Sequence, residues 1–188
     1  MPKFKNTYNT GTVRLPGYDY GNNGAYFITI CSHERQLLFS KIVNGEVVLT
    51  QLGEIIKSGL LDTPLLRQYV TIGEYVIMPN HIHAIVFIHH GSDSPEQLAS
   101  EEIYSTLIQD DEYKNHFGPQ SNNLASIIRG MKSTVSSGAN KIGFITKVWQ
   151  PGYHEHIVRN QEELIRIENY IRNNPYQWNS DENNPVNW

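Results

Sequence analysis

Residues 74–88 have the sequence EYVIMPNHIHAIVFI, and this stretch decides the fold. The β-branched and aromatic residues of 74–78 and 81–88 predict two strands, because such side chains pack well on a pleated surface. Pro79-Asn80 lies between them and predicts a tight turn. The stretch therefore predicts a hairpin whose second strand is central in a sheet.

The second strand opens with two histidines. Side chains alternate along a strand, so His81 and His83 point to one face while Ile82 is buried behind them. This is the spacing at which two imidazoles share one metal ion. A bare His-x-His pattern also occurs in histidines that face solvent or are only hydrogen-bonded, so the pair needs further context.

Length and composition indicate one domain over residues 1–188, with a single core. The lone Cys31 cannot form an internal disulfide, which agrees with a reducing cytosol, and a buried apolar role accounts for it. The amino-terminal residues lack the apolar core of a signal peptide, and no apolar run approaches the ~20 residues of a membrane span. We therefore expect a soluble, cytoplasmic protein that does not bind membranes.

The net charge of −4 argues at first against a nucleic-acid partner, but the charge is unevenly distributed. Residues 90–122 hold seven of the 19 acids and one of the 15 bases, so the other residues hold 12 acids and 14 bases, a net charge of +2. We interpret 90–122 as an acidic variable insertion or long loop. Its acids are Asp93, Glu96, Glu101, Glu102, Asp110, Asp111 and Glu112.

The sequence of the first half of the chain predicts an extended arm, a strand, a hairpin and a helix. Residues 1–23 are polar and are interpreted as an extended arm or, equally, as a frayed tail. A strand is predicted over 25–32, and Asn44-Gly45 predicts a hairpin between 37–39 and 46–49. Helical spacing follows over 50–61, with Thr50 as its N-cap and Thr63-Pro64 as a helix breaker.

The second half predicts two amphipathic helices, 124–135 and 161–173, with extended segments at 144–150 and 153–158 between them. The order of elements predicts an α+β fold with helices packed on one face of an antiparallel sheet. On the last helix, Tyr170 lies at the edge of the apolar stripe, where its hydroxyl can reach a neighbouring surface. An ordinary tyrosine at the rim of the core also fits this position.

Four motifs in order give the chain a resemblance to a known family. They are YFITIC at 26–31, EYVIMPNHIH at 74–83, WQ at 149–150 with YHEHIVRN at 153–160, and NYIRNNP at 169–175. Together they resemble the REP-associated tyrosine transposases, which belong to the single-tyrosine HUH transposases. The resemblance runs from about residue 18 to 178 and is interrupted mainly by the acidic insertion.

The resemblance implies a ferredoxin-like fold and a metal-dependent enzyme that cleaves and rejoins single-stranded DNA through a 5′-phosphotyrosine. His81, His83 and Asn174 are implied as ligands of Mg²⁺ or Mn²⁺, and Tyr170 as the nucleophile. Glu155 and His156 are secondary site or structural residues, and His154 with His156 forms a rival metal pair.

The implied partner is single-stranded or hairpin DNA, bound by a monomer or a homodimer. Seven basic residues are candidates for phosphate contact: Arg129, Lys132, Lys141, Lys147, Arg159, Arg166 and Arg172. Two other functions stay open. One is a domesticated DNA-binding protein that does not cleave, and the other is a metal-dependent phosphodiesterase in which water replaces Tyr170 as the nucleophile.

Overall fold

A computed structural model describes residues 18–90 and 122–188. The predicted arm therefore lies outside the described residues up to position 17. The predicted acidic insertion lies outside them from 91 to 121.

The described residues form a four-stranded sheet and a separate two-stranded hairpin. The strands are β1 (Gly24–Cys31), β2 (Ser40–Val43), β3 (Glu46–Leu49), β4 (Val70–Ile77), β5 (His81–Ile88) and β6 (His154–Val158). The four-stranded sheet has the order β4-β5-β1-β6, with every neighbouring pair antiparallel. The strand that begins with the two histidines is thus internal, as the sequence predicts.

Within the described residues, four α-helices connect or follow these strands: α1 (Gln51–Leu61), α2 (Thr63–Leu66), α3 (Leu124–Lys141) and α4 (Gln161–Asn173). Short 3₁₀ helices lie at His33–Arg35, Asn174–Ser180 and Pro185–Asn187. The path β1-α1-β4-β5-α3-β6 is the strand and helix order of a ferredoxin-like fold, with the β2–β3 hairpin inserted before α1.

The long helices begin where the sequence supplies capping side chains. Thr50 Oγ1 accepts a hydrogen bond from the Gly53 backbone N–H at the start of α1. Asn123 and Ser126 form a reciprocal capping box at α3. Asn160 caps α4. Such caps satisfy backbone donors that a helix leaves unpaired at its first turn.

The sheet is covered on both faces, which corrects the prediction that the helices pack on one face. The residues of β5 are all buried. Ile82 and Val86 join the core under α1 and α3, whereas Ile85 and Phe87 join a second core under α4. Because neighbouring residues of a strand point to opposite faces, α4 must lie on the face of His81 and His83.

Two of three local predictions need correction. The first hairpin strand is Ser40–Val43 rather than 37–39, since the Phe39 carbonyl accepts hydrogen bonds from Thr50 and the Phe39 amide donates to Pro79. The predicted break at Thr63-Pro64 is confirmed, because α1 ends at Leu61 and a separate short helix, α2, has Pro64 in its first turn, where proline needs no N–H partner. The segment 144–150 forms no strand and pairs only through a bridge between Trp149 and Ser32.

Within 18–90 and 122–188, no helix combines the length and the apolar character required to cross a membrane.

Replacement of Gly53 by alanine tests the packing of α1 on the hairpin. Alanine normally stabilises a helix interior relative to glycine by about 1 kcal/mol. At Gly53 an added Cβ would collide with the Phe39 backbone carbonyl oxygen, which cannot rotate away. We therefore expect Gly53→Ala to lower the free energy of unfolding by about 1–3 kcal/mol in urea titrations.

The matched control is Gly130→Ala in α3, where the three atoms nearest to the added Cβ all belong to the guanidinium end of Arg67. That side chain can move, so Gly130→Ala should leave stability unchanged or raise it by up to about 1 kcal/mol. Equal stabilities for Gly53→Ala and the unmodified chain would contradict the observed packing of α1.

Candidate active site

The pairing of β1 with β5 places the two histidines in the interior of the sheet. His83 lies opposite Thr29, and His81 lies opposite Cys31. The side chains of both histidines are almost entirely buried, with relative exposures of 0% for His81 and 3% for His83. Their Nε2 atoms are 3.1 Å apart, so the two imidazoles converge on one point.

The other ring nitrogen of each histidine has a protein partner. His83 Nδ1 is 2.9 Å from Thr29 Oγ1, and His81 Nδ1 is 2.9 Å from Asn80 Oδ1. Partners at Nδ1 fix the orientation of each ring and leave Nε2 as the nitrogen that faces the site. Asn80 is itself fully buried, in the turn between β4 and β5.

Aromatic side chains surround the pair. Phe27 stacks on His83 with ring centroids 5.2 Å apart, and Trp178 lies 6.2 Å from His81. Phe27 also meets the Tyr170 ring edge to face at 6.1 Å. These apolar contacts restrict the rings and limit the water around the imidazoles.

Helix α4 brings Tyr170 to the histidines. Its buried residues Leu164, Ile167 and Ile171 pack on the sheet, and Tyr170 lies beside that stripe with 43% of its surface exposed. The Tyr170 hydroxyl is 3.3 Å from His83 Nε2, across 87 positions of sequence. Its exposed side leaves room for a second molecule to approach the hydroxyl.

Asn174 lies one helical turn after Tyr170, at the start of the following 3₁₀ helix. It is 1% exposed, and its side chain lies near enough to the Tyr170 hydroxyl to lower the pKa of the phenol. The Asn174 Oδ1 atom is buried and has no hydrogen-bond partner among the described residues. A buried acceptor without a donor is unusual and indicates a group that can still bind something.

Burial controls the protonation of the site. It lowers the pKa of both His81 and His83 to about 3, helped by Arg35 in the first case and by His81 in the second. Burial also raises the pKa of Tyr170, as does the nearby Asp181, while the Asn174 side chain acts in the opposite direction. At neutral pH the imidazoles are therefore uncharged and the phenol keeps its proton.

The donor set fits a divalent cation. Two nitrogens bound to one ion at about 2.1 Å and at a right angle lie about 3 Å apart, which agrees with the observed separation of the Nε2 atoms. Within the described residues, no group of three His, Cys, Asp or Glu side chains could hold a metal. Among the described residues, a third protein ligand would then be of another type, and the buried Asn174 oxygen is of a suitable type.

The residues predicted as a secondary site lie apart from each other. In the β1–β6 pairing, His156 is opposite Phe27 and so faces α4, whereas Glu155 is opposite Ile28 and faces the other side of the sheet. His156 Nε2 is 2.8 Å from a Glu163 carboxylate oxygen on α4. His156 thus links β6 to the start of α4, while the structure does not bring Glu155 to the same face.

The seven basic residues do not form one surface. Arg129, Lys132 and Lys141 lie on α3, which covers the face opposite the histidines. The Lys132 ammonium donates to the Gln150 and Gly152 carbonyl oxygens, and burial lowers its pKa to about 8.

On α4, Arg166 is ion-paired with Glu163, and Arg172 is ion-paired with Glu74 and Glu168. The remaining two basic residues, Lys147 and Arg159, are exposed.

Sequence reasoning missed several residues of the site. Asn80 and Thr29 hold the Nδ1 atoms, and Asn80 was assigned only to the turn. Its position next to the histidine pair was a usable signal. Trp178 and Asp181 reach the site from the carboxy-terminal segment, and no local pattern announces such a tertiary contact.

Comparisons with known proteins agree with this architecture. An uncharacterized protein of Haemophilus influenzae is 36% identical over 187 residues, which cover 93% of this chain and 96% of that protein, and the chain belongs to the same family. The structure of a REP-associated tyrosine transposase bound to a REP hairpin aligns with a TM-score of 0.55 at 19% identity, covering 85% of this chain and 71% of the other. This likeness confirms the expected fold. No protein-family model matches the chain.

Replacement of His83 tests whether the histidine pair binds a cation. Removal of an outer partner of a metal ligand typically weakens metal binding about 10-fold to 100-fold. Loss of one of the two imidazole ligands themselves should weaken Mn²⁺ binding by at least as much. We therefore expect His83→Gln to abolish the bound fraction of Mn²⁺ measured by electron paramagnetic resonance at micromolar concentrations.

The control is His156→Gln, because His156 is an exposed histidine on the same face and bonds to Glu163. It should bind Mn²⁺ like the unmodified chain. Loss of binding in His156→Gln with retention in His83→Gln would instead identify the rival pair as the metal site.

Proposed function

We propose that this chain, a member of the Haemophilus influenzae protein's family with the fold of a REP-associated tyrosine transposase, is a DNA endonuclease and strand transferase. The observation that carries the proposal is the meeting of three elements at one point. The Tyr170 hydroxyl from α4 lies 3.3 Å from His83 on β5, and the side chain of Asn174 acts on the pKa of the same hydroxyl. A nucleophile beside two converging imidazoles is suited to phosphoryl transfer.

The proposed substrate is single-stranded DNA in a hairpin context. The similar transposase structure contains a REP hairpin, which gives this substrate class a precedent on the same fold. Tyr170 is partly exposed, although the imidazoles beside it are buried. Its hydroxyl oxygen would therefore meet the phosphate at the surface of the domain. An unpaired strand can bend its backbone into such a site more readily than a duplex can.

Tyr170 is the proposed nucleophile. Its oxygen forms a bond to phosphorus as the bond from phosphorus to the 3′ oxygen breaks, and the products are a 5′-phosphotyrosine and a free 3′-hydroxyl. The tyrosine loses its proton, and the leaving oxygen gains one. Because burial raises the Tyr170 pKa, the phenol needs help to ionise, and the Asn174 side chain supplies part of it.

His81, His83 and Asn174 would hold Mg²⁺ or Mn²⁺. When bound, the ion supplies positive charge that offsets the charge developing on the phosphate oxygens. The protein contributes the alignment. Thr29 and Asn80 hold the imidazole rings, and α4 fixes the tyrosine oxygen beside them. Fixed geometry of this kind lowers the entropic cost of reaching the transition state.

The same residues account for strand joining. A phosphotyrosine link conserves the energy of the phosphodiester bond, so the 3′-hydroxyl of a second strand can attack it and release Tyr170. No nucleotide hydrolysis is required. Cleavage and joining are then one reaction that runs in both directions.

Replacement of Tyr170 by phenylalanine tests the proposed nucleophile. The protein is mixed with labelled hairpin DNA from the repeats flanking its gene, with Mg²⁺ or Mn²⁺ and, separately, with a chelator. We expect a denaturation-resistant protein–DNA adduct that requires the ion and falls below detection in Tyr170→Phe. Tyr176→Phe is the matched control, because Tyr176 is an exposed tyrosine on the adjoining 3₁₀ helix.

The other outcomes assign different functions. Metal-dependent cleavage that persists in Tyr170→Phe without an adduct would mean that water attacks the phosphate. Binding of the cognate hairpin with neither cleavage nor adduct would identify a domesticated DNA-binding protein. An adduct that is lost in Tyr176→Phe and retained in Tyr170→Phe would show that the nucleophile had been assigned to the wrong tyrosine.

The salt dependence of binding tests the proposed phosphate contacts. Lys147→Ala and Arg159→Ala each remove an exposed cation, so each should reduce the slope of log affinity against log salt by about 0.7 for single strands. Arg172→Ala should change the slope less, since Arg172 already bonds to Glu74 and Glu168. Fluorescence anisotropy with the hairpin measures all three, and equal effects would argue against this distinction.

A further inference from the structure

Asn80 is a buried connection between the histidine pair and two distant segments. Its amide nitrogen donates to the Arg35 carbonyl oxygen at 3.1 Å and to the Asn183 carbonyl oxygen at 2.7 Å. These acceptors are 45 and 103 positions away in the sequence. On its other side, Asn80 Oδ1 faces His81 Nδ1 at 2.9 Å.

The orientation of the Asn80 amide follows from its partners. A backbone carbonyl oxygen can only accept hydrogen bonds, so both Arg35 and Asn183 require the NH₂ group of Asn80 to face them. The Asn80 oxygen must then face His81. An amide oxygen can also only accept, so the hydrogen of that contact belongs to the imidazole.

This fixes the tautomer of His81. His81 is 0% exposed, and burial of this kind disfavours the charged form, so the ring is neutral and carries one hydrogen. With that hydrogen on Nδ1, the Nε2 atom keeps its lone pair and directs it toward His83. A neutral imidazole binds a metal through such a lone pair.

We infer that Asn80 is a positioning residue that locks His81 in the Nδ1–H tautomer and so keeps its Nε2 lone pair directed into the site. Where this concerns cation binding, the inference rests on the proposed function. The tautomer itself follows from hydrogen bonds of the chain alone. Asn80 therefore acts through His81 and touches neither DNA nor the reacting atoms.

The surroundings of Asn80 are built around this contact. Glu34 and Arg35 have φ values of 52° and 55°, a left-handed conformation that is strained for residues other than glycine. This strained turn presents the Arg35 carbonyl oxygen to Asn80. The Arg35 guanidinium also donates to Asn183 Oδ1, which ties the turn to the carboxy-terminal segment.

The tautomer of His83 is not fixed in this way. Its Nδ1 partner is the Thr29 hydroxyl, which can donate or accept. Two lone pairs at 3.1 Å would repel each other, so in the metal-free chain we expect His83 to donate its Nε2 hydrogen to His81, with the Tyr170 hydroxyl oxygen at 3.3 Å as a second acceptor. The Thr29 hydroxyl then donates to His83 Nδ1. The two histidines are thus expected in opposite tautomers until a cation replaces that hydrogen.

The test is the ring tautomer in the metal-free full-length chain, measured by long-range ¹H–¹⁵N correlation spectra. Signals are assigned with His81→Gln and His83→Gln. We expect a protonated Nδ1 and an unprotonated Nε2 for His81, and the reverse for His83. A protonated Nε2 on His81 in the unmodified chain would overturn the inference.

Mn²⁺ affinity, measured by electron paramagnetic resonance, gives a second readout. Asn80→Ala should weaken binding 10-fold to 100-fold, and Asn80→Asp should restore part of it because a carboxylate oxygen still accepts from His81. The control is Asn123→Ala, which removes the buried cap of α3 far from the histidines. It should lose stability but keep the affinity.

The outcomes separate the inference from the proposed function. Unchanged Mn²⁺ affinity in folded Asn80→Ala would overturn the positioning role. Opposite tautomers in a chain that forms no DNA adduct would support the role of Asn80 and count against the proposed enzyme. A DNA adduct formed by a chain whose His81 is protonated on Nε2 would support the proposed enzyme and overturn the role of Asn80.

Discussion

The burial of two imidazoles side by side on an internal strand is the constraint on which the rest of the structure depends. A polar ring loses its water when it is buried, and each nitrogen then needs a partner from the protein. Thr29 and Asn80 meet that need at the two Nδ1 atoms, and the Nε2 atoms are left facing each other. The element that covers this face of the sheet must therefore exclude water from the rings and still leave an opening at the Nε2 atoms.

Helix α4 meets both requirements with adjacent residues. Leu164, Ile167 and Ile171 close the second core, while Tyr170 precedes Ile171 and lies about 100° away around the helix. A shift of the helix by one residue would turn the tyrosine away from His83. The packing of three apolar side chains therefore sets the position of the hydroxyl, and mutations in that core should impair the site without touching it.

The sequence predicted those parts of the molecule that depend on local patterns. Alternation placed His81 and His83 on one face, and helical spacing placed Tyr170 beside an apolar stripe. It did not reveal that α4 covers the opposite face from α1 and α3, because an amphipathic helix does not encode which face of a sheet receives it. The partners of Asn80 were equally hidden, since they come from segments 45 and 103 positions away.

Few of the cations predicted to bind phosphate lie unpaired near Tyr170, and this affects how the proposed DNA substrate would bind. The cations of α3 lie across the sheet from Tyr170, and Lys132 is committed to two carbonyl oxygens. On the tyrosine side, Arg166 and Arg172 are balanced by carboxylates. Under the proposed function, a strand that reaches Tyr170 would therefore meet few unpaired cations besides Lys147 and Arg159 among the described residues that were predicted to bind phosphate. Hairpin shape and stacking on exposed rings would then contribute to its affinity together with charge.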